Sequence, residues 1–223
     1  IENNPFSGLP QLRLENGSPH FVFRDGALYN KTMTTLFYYE QGWETGSLVI
    51  PDGVRIIGRH SFYGCTGVRR LVIPGSVTTI GYNPFAGCSS LSLENHSPAY
   101  VYSDGALYDR GMTELIHYTI AAPRDEFVVP RTVRKIGRSA FFHARELEQI
   151  RLPEGLATIE RSAFAGCSSL REINIPQSVS SIGELAFAHC GRLGKLNLPA
   201  NTSVESHTFR GCPANAESPS GDE

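Results

Sequence analysis

The chain has 223 residues, with 20 lysines and arginines against 22 aspartates and glutamates, for a formal net charge of −2. That near balance gives no electrostatic case for nucleic acid or for an anionic membrane surface. No apolar run approaches the roughly 18 residues of a membrane-spanning helix, so no membrane insertion is expected of this stretch.

Residues 1–14 complete a partial coil, because Ile1-Glu-Asn-Asn4-Pro5-Phe6-Ser-Gly8 reads onto Ile80-Gly-Tyr-Asn83-Pro84-Phe85-Ala-Gly87. The chain therefore begins in mid-repeat. Its N-terminus is expected to be a boundary within a longer protein, and a missing targeting segment carries no information.

A stretch of another kind runs from Leu14 to Tyr39 and returns from Leu93 to Tyr118, at an offset of 79 residues. In both copies aromatic and β-branched runs flank Asp-Gly (Asp25-Gly26 and Asp104-Gly105), a strong hairpin-turn signal. A second polar turn, at 30–32 and 109–111, leads into a third run at 35–39 and 114–118. Each expansion, about 15–47 and 94–126, is predicted to be a short antiparallel β-meander, or an extra coil decorated by a hairpin.

Plain coils occupy the rest. Their prolines fall at Pro51 and Pro74 and then at Pro130, Pro153, Pro176 and Pro199, each 23 residues after the last within its run. Phe62, Phe85, Phe141, Phe164 and Phe187 keep the same step, and Phe209 comes one residue early. A fixed period in this range, with leucine or isoleucine in register, is the signature of a leucine-rich solenoid. In the coil from Pro176, the alternation Leu196-Asn-Leu198 predicts a short strand with one face inward, ended at once by Pro199. Val179 and Ile182 mark a second extended arm. Gly58, Gly81, Gly137 and Gly183 follow that arm where a Cβ would obstruct the turn, although Glu160 fills the slot in one coil. The Ala-Phe segment is too short for a helix of its own and is predicted to be one 3₁₀ or α turn dropping Phe into the core.

The predicted fold is thus a right-handed, β-rich leucine-rich repeat solenoid with short parallel strands, single 3₁₀ or α turns per coil and two antiparallel β-meander expansions. Residues 1–212 are expected to form a single domain. The polar, acidic residues 213–223 are expected to be a disordered tail.

Cys65, Cys88, Cys167 and Cys190 share one repeat slot, Cys212 lies in the shortened last copy, and Ala144 fills the slot in another coil. The slot reads as a place for a small apolar group holding unpaired thiols, with disulfides or metal ligands as the alternative. Arg59, Tyr82, Arg138, Arg161 and Glu184 form an outer column, read as a solvated face against a contact for an acidic ligand. Catalytic chemistry is missing from the pattern: there is no Gly-x-Ser-x-Gly elbow, phosphate loop or His-Glu-x-x-His. His143 and His189 share a column two coils apart, roughly 10 Å, too far for one zinc ion. Asp104 with Glu114 reads as turn chemistry before it reads as a catalytic pair. Asn95-His-Ser97 and Asn201-Thr-Ser203 have the form of glycosylation acceptors, which would mean nothing in a bacterial context. No enzyme activity, cofactor or metal is expected.

The pattern Ile-Pro-x-x-Val-x-x-Ile-Gly-x-x-Ala-Phe-x-Gly-Cys-x-x-Leu stands at 50–68, 73–91, 129–147, 152–170 and 175–193. It resembles the BspA-like (Treponema pallidum-type) class of bacterial leucine-rich repeats, and the Asp-Gly-Ala-Leu-Tyr meanders look like an expansion common in that family. The departures are Ala144 for cysteine, Glu160 for glycine and the shortened last coil. The resemblance implies an extracellular or cell-surface protein that adheres to host matrix proteins or to other cells, without catalytic residues. Its partner would be a protein or glycan of the host or a neighbouring cell. The alternative is a structural spacer or stalk within a larger surface protein.

Candidate binding residues are the meander aromatics Phe21, Phe23 and Tyr39 and their counterparts Tyr100, Tyr102 and Tyr118, since tyrosine is enriched at interfaces. Period two turns only some of them outward. The competing expectation is that they pack against the edge of the solenoid.

Overall fold

Apolar residues that recur every 23 positions become ladders of parallel strands. A computed structural model describes residue 6 and residues 14–43, 46–88, 91–119 and 124–214. The chain divides into two compact units, residues 1–110 with 119–121 and residues 111–118 with 122–223. The first carries β1 (Phe21–Arg24), β2 (Ala27–Asn30), β3 (Thr35–Tyr39), β4 (Gly46–Val49), β5 (Ile56–Ile57), β6 (Val68–Ile73), β7 (Thr79–Ile80), β8 (Ser92–Asn95), β9 (Tyr100–Ser103) and β10 (Ala106–Asp109). The second carries β11 (Glu114–Tyr118), β12 (Glu126–Val128), β13 (Lys135–Ile136), β14 (Gln149–Arg151), β15 (Thr158–Ile159), β16 (Glu172–Ile173), β17 (Ser181–Ile182) and β18 (Ser203–Val204).

Both arms of a coil form strands, and each arm stacks on its own kind. In the first unit β4, β6 and β8 pair in parallel, as do β3, β5 and β7. In the second, β12, β14 and β16 form one parallel sheet, and β11, β13, β15, β17 and β18 form another. Ile136 pairs with Ile159 and Ile159 with Ile182, one full coil apart each time. Val204 then pairs with Ile182, so the residue missing from the last coil is absorbed before β18. The arm at 194–198 departs from expectation. Leu196 is buried and Asn197 exposed, as alternation requires, but no strand forms there. Gly194 N–H donates to Arg171 C=O at 2.9 Å, and the ladder goes no further.

The core is a column of rings. In the second unit Tyr118, Phe141, Phe164, Phe187 and Phe209 follow one another at centroid separations of 5.2, 5.1, 5.1 and 5.6 Å, all stacked. In the first unit Tyr39, Phe62 and Phe85 occupy the corresponding repeat slot at 5.3 and 5.6 Å. Each ring is set by a main-chain ladder to the next coil: Phe141, Phe164 and Phe187 N–H donate to Ala163, Ala186 and Thr208 C=O at 2.7, 2.7 and 2.9 Å.

The Phe turn keeps the i→i+3 closure of a 3₁₀ turn, as in Cys65 N–H to Phe62 C=O at 3.0 Å. It cannot propagate. In the six coils from Phe62 to Phe209 the residue two before Phe is left-handed (His60, Asn83, Ser139, Ser162, Leu185 and His207, φ between 50° and 59°). The residue two after Phe is left-handed as well: Gly64, Gly87, His143, Gly166, His189 and Gly211. Among the described residues no helix forms. At Gly64, Gly166 and Gly211 a side chain of the preceding coil covers the glycine. A Cβ on Gly166 would lie 2.6 Å from the His143 ring, and one on Gly211 2.6 Å from that of His189. The Ile-Gly slot has a different reason for glycine, since a Cβ on Gly183 would lie 2.6 Å from the Arg161 nitrogen of the preceding coil.

All five cysteines are free. Their slot has a use for the thiol beyond small size. Cys88, Cys167, Cys190 and Cys212 S–H donate to the carbonyls of Phe62, Phe141, Phe164 and Phe187, one coil back, at 2.9–3.2 Å. Burial pushes the Cys88 thiol up to about 12. Cys65, Cys88, Cys167 and Cys190 are buried and Cys212 is half-buried. Thiol titration is therefore expected to find five reactive groups in denaturant and at most Cys212 in the native protein. Rapid labelling of a second native thiol would contradict this packing.

Candidate binding surface

The two Asp-Gly turns build matching hairpins. Asp25 and Gly26 have φ of 49° and 76°, Asp104 and Gly105 of 50° and 75°, the two left-handed residues of a type I′ turn. Registers Arg24↔Ala27 and Ser103↔Ala106 leave two-residue loops. Next, Asn30 Oδ1 accepts from Thr34 and Thr35 N–H at 2.8 and 3.0 Å and turns the chain into β3. β3 is antiparallel to β2 and parallel to β5, so it completes the meander and serves as the coil's own strand.

That double role decides where the candidate residues go. Tyr39 is 1% and Tyr118 4% exposed. They lie 23 residues before Phe62 and Phe141 and occupy the Phe slot of their coils, with Tyr39 N–H donating to Ser61 C=O at 2.8 Å and Tyr118 N–H to Ala140 C=O at 2.7 Å. Burial removes both from any docking surface, and it likewise takes Tyr29, Tyr38 and Tyr108. Burial, then the charge of Asp25, pushes the Tyr29 hydroxyl up to about 12.

Phe21, Phe23, Tyr100 and Tyr102 are half-buried. The tyrosines have structural work: Ile80 N–H donates to the Tyr100 hydroxyl at 2.7 Å, and the Tyr102 hydroxyl lies 2.8 Å from Thr119 Oγ1. The phenylalanines lie edge-to-face with other aromatics. Phe21 meets Phe37 at 5.9 Å and Phe23 meets Trp43 at 6.4 Å. Trp43, which the sequence reading passed over, is 38% exposed and packs over Gly26, where a Cβ would lie 2.6 Å from the indole. The signal was there in the chain's single tryptophan placed just after β3. Phe21, Phe23, Phe37 and Trp43 thus form the aromatic strip of the first hairpin.

Elsewhere the surface is laced with charge pairs running from coil to coil. Arg138 meets Glu160 at 3.5 Å, Arg161 meets Glu184 at 3.0 Å, and Lys135 meets Glu114 at 2.8 Å. Arg70 pairs with Glu94 and Arg151 with Glu126. His96, then Arg70, hold the Glu94 carboxyl below its ordinary range. The outer arginine column is therefore largely compensated, and Arg59 lies over the Tyr82 ring at 4.6 Å. Val49 and Val128, 79 residues apart, are 61% and 58% exposed; Val128 lines a groove of about 540 Å³ together with Leu152 and Pro153. Among the described residues no group of three or more His, Cys, Asp or Glu side chains could hold a metal ion, and no helix is long and apolar enough to cross a membrane.

The sequence matches the BspA type leucine rich repeat region in six copies over residues 32–115 and 123–217. No curated protein matches it. A leucine-rich repeat protein from Eubacterium ventriosum is similar in structure with a TM-score of 0.64 and 34% identity, over 68% of this chain and 41% of that one. A leucine rich cell surface protein from Faecalibacterium prausnitzii gives 0.59 at 24% identity, over 74% and 57%. The pneumococcal vaccine antigen PcpA gives 0.66 at 20% identity, over 81% and 54%. The chain spans less than two thirds of each of these proteins.

Proposed function

The chain belongs to the BspA-type leucine-rich repeat family, and from that premise we propose that it is a non-enzymatic, cell-surface or secreted binding module acting in adhesion to host matrix proteins or to other cells. The observation that carries this reading is the half-exposed aromatic strip of Phe21, Phe23, Phe37 and Trp43, held by ring contacts in the first unit. Partly exposed rings held by packing lose little entropy on binding, and aromatic anchors dominate interface energetics. The surface setting is supported by relatives described as a cell surface protein and a vaccine antigen.

The test is a screen of the chain against immobilised matrix proteins and glycans, followed by the double variant Phe21→Ser with Phe23→Ser. A confirmed partner is expected to bind the folded double variant at least tenfold more weakly, the loss of about 1.4 kcal/mol or more that anchors of this kind carry. Full binding by the folded variant would place the site elsewhere. Absence of any partner would favour the spacer role.

A further inference from the structure

We propose that the open edge of β1 is a site of β-strand addition, taking an extended, alternately apolar peptide segment of a partner through main-chain hydrogen bonds; the proposal deepens the binding-module reading and rests on it. In a two-residue type I′ hairpin the residues flanking the loop exchange hydrogen bonds, and pairing then alternates along the strands. Arg24↔Ala27 flanks the loop, so Val22↔Tyr29 is the next bonded pair and Phe23↔Leu28 lies between them. The N–H and C=O of Phe23 therefore point away from β2. Among the described residues β1 has a strand neighbour on that one side only.

The edge is also limited in length. Asn16 Nδ2 donates to Phe21 C=O at 2.9 Å, which closes the strand's first carbonyl. Natural edge strands are guarded by short length, proline, lysine, a bulge or an inward charge, and of these β1 has its four-residue length. In Phe21-Val-Phe23-Arg24 the one charge is Arg24, and Asp25 compensates it at 3.2 Å. An incoming strand bonded to Phe23 would bring an apolar side chain against the Phe23 ring and the Trp43 edge, the cross-strand pairing that stabilises sheets. β9 repeats the device, with Tyr102 in the place of Phe23 and Asn95 Nδ2 closing Tyr100 C=O at 2.9 Å. Its ring has its hydroxyl engaged by Thr119, so β9 is the weaker of the two edges.

The probe is the peptide acetyl-Lys-Val-Thr-Val-Thr-Val-Lys-amide, titrated to millimolar concentration into the intact chain while amide exchange is followed by NMR. The Phe23 amide is expected to exchange about tenfold more slowly at saturation, with a smaller effect at Tyr102. Phe23→Pro removes a donor that the hairpin does not use, which edge positions tolerate; it is expected to weaken the peptide at least tenfold, whereas Phe23→Leu retains most of the binding. An unchanged Phe23 exchange rate, or equal binding by Phe23→Pro, overturns the proposal. A matrix partner that still binds Phe23→Pro fully also overturns it, and leaves the binding-module reading standing.

Discussion

Phe164→Ala is expected to lower the stability of the chain by about 4 kcal/mol, within the 3–5 kcal/mol typical of a buried ring truncated to alanine. Phe164 is 0% exposed and lies between Phe141 and Phe187, each 5.1 Å away and nearly parallel to it. Its main chain is tied to its own coil and to the next, donating to Ala186 C=O and accepting from Cys167 N–H and from the Cys190 thiol. The coil therefore has little freedom to collapse into the space a missing ring would leave, which places the cost toward the upper part of the range. Phe209 provides the internal comparison. It is stacked on Phe187 alone among the described rings and is 8% exposed, so Phe209→Ala is expected to cost distinctly less. Urea unfolding of both variants tests the pair, and a Phe164→Ala midpoint shift no larger than that of Phe209→Ala would refute the stacked-column account of the core.

Much of this column was legible in the sequence, because a 23-residue period in a bulky ring leaves few other ways to bury it. Tyr39 and Tyr118 show how legibility fails. Read at the 79-residue offset they belong with the meander aromatics; read at 23 residues they precede Phe62 and Phe141 in the core slot. Both periods run through the same residues, and packing obeys the shorter one because a coil touches only its neighbours. The two left-handed positions of each Phe turn were half visible. Glycine marks one of them, but Ser162 and Leu185 carry no local mark of a positive φ. The arm at Leu196 departs in another way: it keeps the alternation of a strand, with Leu196 buried and Asn197 exposed, yet the inter-coil ladder stops at Gly194. The Phe23–Trp43 contact joins a strand to a residue beyond the meander, which no periodicity reports.

Acidification is expected to weaken the fold well above the pH at which most carboxylates titrate, with His117 as the main cause. His117 lies in β11, is 5% exposed, and burial pushes its pKa down from 6.5 to about 3. The folded state thus holds a neutral imidazole that the unfolded chain would protonate below pH 6.5. Above that value the difference costs nothing. As the pH falls from 6.5 toward 3 the unfolded state binds the extra proton, and stability declines by about 1.4 kcal/mol per pH unit. Below both values the decline levels off, after a total of about 4–5 kcal/mol. His60 and His143 act in the same direction, lowered first by burial and then by Arg59 and Arg145 respectively, but both are only partly buried and contribute less. The measurement is the urea midpoint between pH 7 and pH 5 for the parent chain and for His117→Leu. The parent is expected to lose stability steadily across that interval, and the variant to lose it at less than half the rate. Equal slopes would mean that the imidazole gains a proton inside the folded chain, and the burial of β11 would have to be looser than its packing indicates.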